Sequence, residues 1–243
     1  MNKVAVVTGG AKGIGAAVCR RLAADGFSVA VLYRTSQQEA EALVAELCAV
    51  TDAICVPVDV TDAASVTAAF EQVTRELGPV YALVNNAGVA AQELLTDVTD
   101  GAWNTMIETD LGSVFRCCRA ALSHMLHSHD GRIVNIASMW GEIGGSMETP
   151  YSAAKAGVIG LTKALAKEVG PSGITVNAVS PGVIRTDMLA AFSDETLAEL
   201  AAETPLGRIG EPNDVAGAVS FLLSADAAFI TGVDLSVSGG FVI

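Results

Sequence analysis

The sequence predicts one doubly wound α/β domain with a parallel sheet, and three observations support this prediction. Short runs of almost wholly apolar residues alternate along the chain with longer stretches of helical period. Strands that are apolar on both faces and separated by helices are typical of a parallel sheet covered on both sides. A length of 243 residues suffices for one large core, so we expect a single domain over residues 1–243.

Seven segments are predicted to be strands because they are short and apolar. In chain order they are Val4 to Thr8, Ser28 to Tyr33, Ile54 to Val58, Tyr81 to Val84, Arg132 to Ala137, Thr175 to Val179 and Asp234 to Val237. Six longer segments have helical patterns, with a glycine loop before the first and a Thr-Asp cap before the third. They are Gly13 to Ala24, Gln37 to Ala49, Asp62 to Leu77, Ala102 to His127, Tyr151 to Val169 and Asn213 to Leu223.

Charge and composition exclude several classes of protein. Fourteen Lys and Arg against 27 Asp and Glu give a formal charge of -13, which repels nucleic acid and anionic lipid, so we expect neither partner. No uncharged stretch reaches the roughly 18 to 20 apolar residues of a spanning helix. The first eight residues are too short for a signal-peptide core, so we expect a cytoplasmic protein. Five cysteines without a Cys-x-x-Cys motif and a polar cluster of three histidines predict reduced thiols and no metal site.

A glycine-rich loop, TGGAKGIG, follows the first predicted strand and opens the first helix. Gly9, Gly13 and Gly15 allow a tight turn that brings backbone N–H groups and a positive helix end against a pyrophosphate. Ile14 lies within the same turn. Glycine-rich turns also occur for packing alone, but a position in the first βαβ unit favours a dinucleotide site.

The end of the second strand predicts which dinucleotide binds. An acid there would hold the adenosine ribose, yet the first acid is Glu39, already in the next helix. Lys12 and Arg34 instead provide two cations, and Thr35 and Ser36 two hydroxyls, for a 2'-phosphate. We therefore predict NADP(H), against the alternative that the two cations are ordinary surface charges.

Small and polar residues follow the third and fourth strands. Asp59 and Val60 follow the third strand, and Asn86, Ala87 and Gly88 follow the fourth. Carboxyl ends of parallel strands form the edge where open α/β sheets bind ligands. Each motif alone is also common in ordinary loops and turns that bind no ligand. Together they predict a cofactor groove in which Asp59 accepts a hydrogen bond from adenine.

A Ser, Tyr and Lys constellation predicts proton transfer. Ser138 ends the fifth strand, and Tyr151 and Lys155 are an i, i+4 pair on the next helix. A free phenol has a pKa of about 10, and a fixed neighbouring cation favours its ionised form. In ketone reduction, Tyr151 would donate a proton to the developing alkoxide while Ser138 hydrogen-bonds the same oxygen. A bare Tyr-x-x-x-Lys also occurs by chance in helices.

These three signals, in this order, resemble the short-chain dehydrogenase/reductase family, and the resemblance runs essentially end to end. It implies a Rossmann-like sheet of seven parallel strands and a homotetramer assembled through the two long helices. It also implies a mainly dinucleotide-binding half, 1–90, and a catalytic half, 91–243. In the family a turn closes over the nicotinamide, and it corresponds here to Pro181, Gly182, Ile184 and Thr186.

Asp110 departs from the family pattern. The family usually has an asparagine there, which positions a water beside the catalytic lysine. Asp110 is isosteric, but its charge could pair with Lys155 and blunt the effect of Lys155 on Tyr151. We predict a working proton relay with a shifted pH optimum.

Within the family the chain is most similar to bacterial 3-oxoacyl-acyl-carrier-protein reductases, on segments such as Gly131 to Val134 and Ser172 to Asn177. This similarity implies NADPH-dependent reduction of a 3-oxoacyl thioester. Those enzymes dock an acidic carrier, which a charge of -13 opposes. We therefore expect a ketone substrate, either as a small molecule or bound to a carrier.

Two alternatives stay open. The segment Ser138 to Glu142 is also similar to bacterial reductases of a 5-aminopentanone group on elongation factor P, and Glu142 or Glu148 would suit its ammonium. A dinucleotide-binding sensor or scaffold without turnover is the non-enzyme alternative. The stretch from Met188 to Thr204 predicts a substrate lid, with Met188 and Glu142 facing the substrate beside Ser138.

Overall fold

The computed structural model of the chain describes residues 2–189 and 192–242. Its strands are β1 Val4–Thr8, β2 Ser28–Tyr33, β3 Ala53–Pro57, β4 Val80–Asn85, β5 Gly131–Ile136, β6 Ile174–Pro181 and β7 Asp234–Val237. They pair in parallel as one seven-stranded sheet in the order β3-β2-β1-β4-β5-β6-β7. The predicted Rossmann-like fold is confirmed.

The α-helices alternate with these strands along the chain. They are α1 Gly13–Ala24, α2 Gln37–Leu47, α3 Ala63–Glu76, α4 Asp100–Ile107, α5 Ser113–Ser128, α6 Met139–Ile143, α7 Thr149–Val169, α8 Asp194–Glu203 and α9 Pro212–Leu223. The third helix is capped as predicted, because the Asp62 side chain accepts from the N–H groups of Ala64 and Ser65.

Buried side chains alternate between the two faces of the sheet. Ala5 and Val7 of β1 pack on one side with α1, α2 and α9. Val4 and Val6 pack on the other side with α3, α5 and α7. Because both faces are covered, β1 and β2 have no exposed residue, which explains their nearly continuous apolar sequence.

The predicted continuous helix from Ala102 to His127 is wrong. A π-helical turn, Glu108–Gly112, separates α4 from α5. A π turn inserts an extra residue per turn while the apolar period continues on either side, so the sequence pattern hides the break. The short helix α6 was also missed, since its five residues are too few for a periodic signal.

The predicted lid at 188–204 includes positions 190 and 191, which lie outside the described residues. Its second part forms α8, which the Ser193 hydroxyl caps by accepting from Thr196 N–H. In the described ranges, no helix is both long and apolar enough to cross a membrane.

The strand order reverses between β1 and β4, because the chain crosses from β3 at one edge back to the centre. Open α/β sheets bind ligands in the crevice at such a reversal. The loops that follow β1 and β4 border this crevice, and they contain the predicted glycine and Asn-Ala-Gly motifs.

Candidate active site

The glycine loop after β1 is folded so tightly that one position excludes any side chain. A Cβ added to Gly15 would lie 2.3 Å from the Gly9 carbonyl oxygen and 2.7 Å from Asn86 Nδ2. Gly9 and Gly13 have φ values of +61° and +52°, a region that favours glycine. The loop therefore presents bare backbone at the start of α1, as a pyrophosphate site requires.

Thr8 and Asn86 join the loops after β1 and β4. The Thr8 hydroxyl accepts from the N–H groups of Asn86 and Ala87, at 3.0 Å each. In return, Asn86 Nδ2 donates to the carbonyls of Thr8 and Gly9, at 3.1 and 3.0 Å. Asn86 thus holds the glycine loop in place, in addition to its predicted position in the cofactor groove.

A groove of about 330 Å³ lies along this edge of the sheet. Predicted cofactor residues line it, namely Gly9, Lys12, Gly13, Ile14, Arg34, Thr35, Val60, Ala87, Gly88 and Thr186, together with Asn86. The apolar Ile14 and Val60 and the polar Arg34 and Thr35 suit the adenosine of a dinucleotide and its phosphate. These residues, with the bare backbone at Gly15, fit NADP(H).

Lys12 has a carboxylate partner that the sequence did not reveal. Its Nζ lies 2.7 Å from Glu39 Oε1, and both side chains are about half exposed. The hydrogen bond from Lys12 lowers the pKa of Glu39, and the same contact raises the pKa of Lys12. Arg34 is therefore the cation at this end of the groove that we expect to contribute most to binding a 2'-phosphate.

Asp59 lies two residues after β3, next to the groove residue Val60. Its Oδ1 accepts from Thr61 N at 2.9 Å and from Thr61 Oγ1 at 2.6 Å. These hydrogen bonds hold the pKa of Asp59 below its usual range. The carboxylate is thereby fixed in its ionised, accepting form.

The turn after β6 reaches the glycine loop. Gly182 N–H donates to the Val237 carbonyl at 3.0 Å, and Ile184 bridges to Gly210. A Cβ on Gly13 would lie 3.3 Å from Thr186 Cγ2, so Thr186 covers the start of α1. Thr186, in the turn that begins at Pro181 and Gly182, therefore borders the groove at the start of α1.

Two of the predicted catalytic residues, Tyr151 and Asp110, lie beside the buried Lys155 ammonium. Lys155 is 4% exposed, and its Nζ donates to the Ile136 carbonyl at 3.1 Å and lies 5.5 Å from the Tyr151 ring centroid. Ser138 comes two residues after Ile136, and its hydroxyl accepts from Trp140 N–H at 3.2 Å. The i, i+4 spacing thus places Tyr151 beside Lys155, as predicted.

Asp110 pairs with the same ammonium. Its carboxylate is fully buried in the π-helical turn, with Oδ2 3.3 Å from Lys155 Nζ. Oδ1 accepts from Val89 N–H at 2.9 Å. Burial raises the pKa of Asp110, although the Lys155 ammonium opposes the effect. The pairing that the sequence suggested is confirmed.

The acidic residues considered for the substrate differ in their surroundings. Glu142 is exposed on α6, and its pKa is raised, first by partial loss of solvent and then by the negative charge of Asp234. Glu148 is buried before α7 and accepts from Gln92 Nε2 at 3.2 Å, and burial raises its pKa. Met188 lies in a short 3-10 turn, Asp187–Leu189, and its side chain is outside what the structure describes.

Sequence reasoning missed three functional features, which are the Thr8 hydroxyl, the Ile136 carbonyl and Glu39. Thr8 was detectable, because a hydroxyl at the last position of a central strand points to the edge where ligands bind. The Ile136 carbonyl carries no sequence signal. Glu39 was seen, but the direction of its side chain could not be read from spacing.

Comparisons with known proteins agree with this geometry. A family model described as "Enoyl-(Acyl carrier protein) reductase" matches residues 9–242. The 3-oxoacyl-[acyl-carrier-protein] reductase FabG of Staphylococcus aureus is 42% identical over 241 residues, covering 99% of this chain and 98% of the relative. The FabG proteins of Escherichia coli and Salmonella typhimurium are 44% and 43% identical over 239 residues, covering 98% of this chain and 97% of each relative. The chain therefore belongs to the short-chain dehydrogenase/reductase family, as an NADP-dependent oxidoreductase acting on CH–OH and C=O groups.

Proposed function

We propose that this enzyme reduces the ketone of 3-oxoacyl thioesters to the 3-hydroxy product with NADPH. The observation that carries the proposal is the buried Lys155 ammonium, 5.5 Å from the Tyr151 ring centroid. Gly88 connects this pair to the groove, because it lines the groove and its added Cβ would lie 3.4 Å from Lys155 Nζ. The acyl-carrier-protein names of the relatives support a thioester substrate.

Each residue of the group has a role in moving one proton. The Ser138 hydroxyl accepts from Trp140 N–H, so its own hydrogen is free to donate to the ketone oxygen. The Tyr151 hydroxyl donates the proton that completes the alcohol. Lys155 stabilises the phenolate that remains, because an ammonium acts strongly where water is excluded. When bound, NADPH supplies the hydride that adds to the carbonyl carbon.

The proposal is tested with acetoacetyl-CoA and NADPH, following NADPH absorbance. We expect turnover by the parent and a loss of at least about 100-fold in Tyr151→Phe, the lower range for a general acid. NADPH fluorescence should show unchanged cofactor binding in this variant, because the hydroxyl is removed and the ring stays. Cofactor binding without turnover in the parent would instead support the sensor alternative, and equal activity in both proteins would refute the role of Tyr151.

We also propose a cytoplasmic homotetramer. Five free cysteines support a reducing compartment. Phe115 and Leu126 on α5 are 50% and 44% exposed, and α7 exposes the small residues Ala156 and Gly160, so both helices offer faces suited to close packing. The proposed arrangement uses these two helices as the interface.

A carrier-bound substrate is the finer proposal, and the net charge of -13 makes it testable. An acidic carrier meets repulsion that salt screens. Turnover of acetoacetyl-carrier should therefore rise with ionic strength, while turnover of acetoacetyl-CoA, measured in parallel, changes less.

An amino ketone is the second candidate substrate, and Glu148 favours it. This carboxylate is buried three residues before Tyr151, and Gln92 Nε2 is its hydrogen-bond donor at 3.2 Å. A substrate ammonium would compensate the burial of this charge. Reduction of a peptide with a 5-aminopentanone group, compared with acetoacetyl-CoA in parent and Glu148→Gln, distinguishes the two substrates. Selective loss of the amino-ketone activity in the variant would support this candidate.

A further inference from the structure

We propose that Asp110 is a positioning residue that holds the Lys155 ammonium and sets the pH dependence of proton transfer by Tyr151. The inference deepens the proposed function and rests on it, because that function assigns the transferred proton to the Tyr151 hydroxyl. The inference concerns the negative charge of Asp110, which an asparagine of the same shape would lack.

The first step is the cost of burying an ammonium. Lys155 is 4% exposed, and a buried cation is costly without a charged or hydrogen-bonding partner. The Ile136 carbonyl provides one acceptor at 3.1 Å, and Asp110 provides the charge at 3.3 Å. The carboxylate therefore compensates the charge that the fold has removed from water.

The second step is how Asp110 is held. Val89 N–H donates to Oδ1 at 2.9 Å, and a Cβ on Gly88 would lie 2.7 Å from Oδ2, so loop backbone covers the carboxylate. Within the described residues, Oδ2 has no hydrogen-bond partner of favourable geometry. Its attraction to Lys155 Nζ is therefore that of two facing charges, and the π-helical turn fixes their separation.

The third step concerns which groups titrate together. Among the described residues, the titratable groups that face Asp110 are Lys155 and, beyond it, Tyr151, both on α7. The β4–α4 loop contributes the Val89 amide, and β5 contributes the Ile136 carbonyl. Burial lowers the pKa of Lys155, but Tyr151 and Asp110 outweigh burial, so the pKa is raised. Lys155 therefore stays charged, and its ammonium at 3.3 Å favours the ionised form of Asp110 against burial.

The sign of the effect follows from these charges. An ammonium alone favours the phenolate of Tyr151, and an ammonium paired with a carboxylate favours it less, because the two charges partly cancel at Tyr151. We therefore expect the negative charge of Asp110 to oppose ionisation of Tyr151. Replacing Asp110 with a neutral side chain should move that ionisation to lower pH.

The test needs no substrate. Tyrosinate absorbance is titrated in the full chain for the parent and for Asp110→Asn, each with its Tyr151→Phe counterpart. The difference within each pair isolates Tyr151 from Tyr33 and Tyr81. We expect the midpoint to fall by about one pH unit or more in Asp110→Asn, as for a unit charge several ångströms away at an effective dielectric constant of about 20.

Glu108→Gln is the matched control, since it removes one negative charge from the same π-helical turn. Its carboxylate is half exposed and paired with Arg116, so its loss should leave the midpoint unchanged. Asp110→Ser is the second neutral variant, which retains an acceptor for Val89 N–H and should repeat the shift. Circular dichroism establishes that each titrated variant is folded.

Kinetic profiles are the second readout. With 3-hydroxybutyryl-CoA and NADP⁺, the acid limb of the oxidation rate should move to lower pH in Asp110→Asn. With acetoacetyl-CoA and NADPH, the alkaline limb of the reduction rate should move in the same direction. A tyrosinate midpoint that stays in place or rises in both neutral variants overturns the role of Asp110. Absence of thioester turnover in the parent would overturn the proposed substrate instead, and the tyrosinate titration would still be readable.

Discussion

Arg34→Ala should weaken binding of NADPH more than binding of NADH. Lys12, the other cation predicted to bind the 2'-phosphate, is already paired with Glu39. Lys12 Nζ lies 2.7 Å from Glu39 Oε1, which leaves Arg34 as the main charge for the 2'-phosphate. A hydrogen bond to a charged group contributes about 1.5 to 3 kcal/mol. Arg34 is exposed, so we take the lower limit, and about 1.5 kcal/mol corresponds to a Kd about tenfold higher.

The assay is fluorescence titration of both reduced cofactors with the parent and the variant. NADH lacks the 2'-phosphate, so its Kd should change less than twofold, about 0.4 kcal/mol. Arg75→Ala is the matched control, since Arg75 is an exposed arginine on α3 that does not line the groove. Equal weakening of NADPH and NADH in Arg34→Ala would refute the reasoning.

Two further variants probe the same groove. Glu39→Gln should release Lys12 from its ion pair and tighten NADPH binding by a few-fold in the same titration. Gly15→Ala should destabilise the fold by about 1 to 3 kcal/mol and abolish the rise in Tm that NADPH produces, because the new Cβ would lie 2.3 Å from the Gly9 carbonyl oxygen. Gly217→Ala is its control, since the added Cβ on α9 meets nothing within 4 Å apart from its chain neighbours and the backbone of its own helix.

Each result has a clear contrary outcome. Unchanged NADPH affinity in Glu39→Gln would mean that Lys12 does not reach the phosphate. A Gly15→Ala protein that NADPH stabilises as strongly as the parent would mean that the glycine loop does not contact the cofactor. Gly217→Ala should keep its response to NADPH and gain slight stability, because alanine is the better helix former.

The parallel sheet was predictable because strands that are buried on both faces appear in the sequence as short, almost wholly apolar runs. The predicted bounds of β1, β2 and β7 match the structure, and those of β3 differ by one residue. Helix α1 also begins at Gly13 and ends at Ala24, as predicted, and the glycine loop precedes its start. Local sequence determines these elements, so no knowledge of tertiary contacts was needed.

The remaining features depend on contacts between distant segments. The sequence placed Asp110 in a helix but gave no sign of the π-helical turn that aims its carboxylate at Lys155. The sequence predicted Glu39 as a residue of the next helix with no role at the site, but its carboxylate pairs with Lys12, which lines the groove. Packing determines where a side chain points and which partner it contacts. The pattern of a single sequence does not show this packing.

The hydrogen bonds that join Thr8 and Gly9 to Asn86 and Ala87 have a consequence for how fast the cofactor binds. Four bonds fasten the two loops that border the crevice, and all of them lie within the protein itself. The two loops are therefore already in place in the free protein, and they lose little conformational entropy when NADPH binds. Capture should then follow a single-step association whose observed rate grows linearly with NADPH concentration, without a plateau from loop rearrangement.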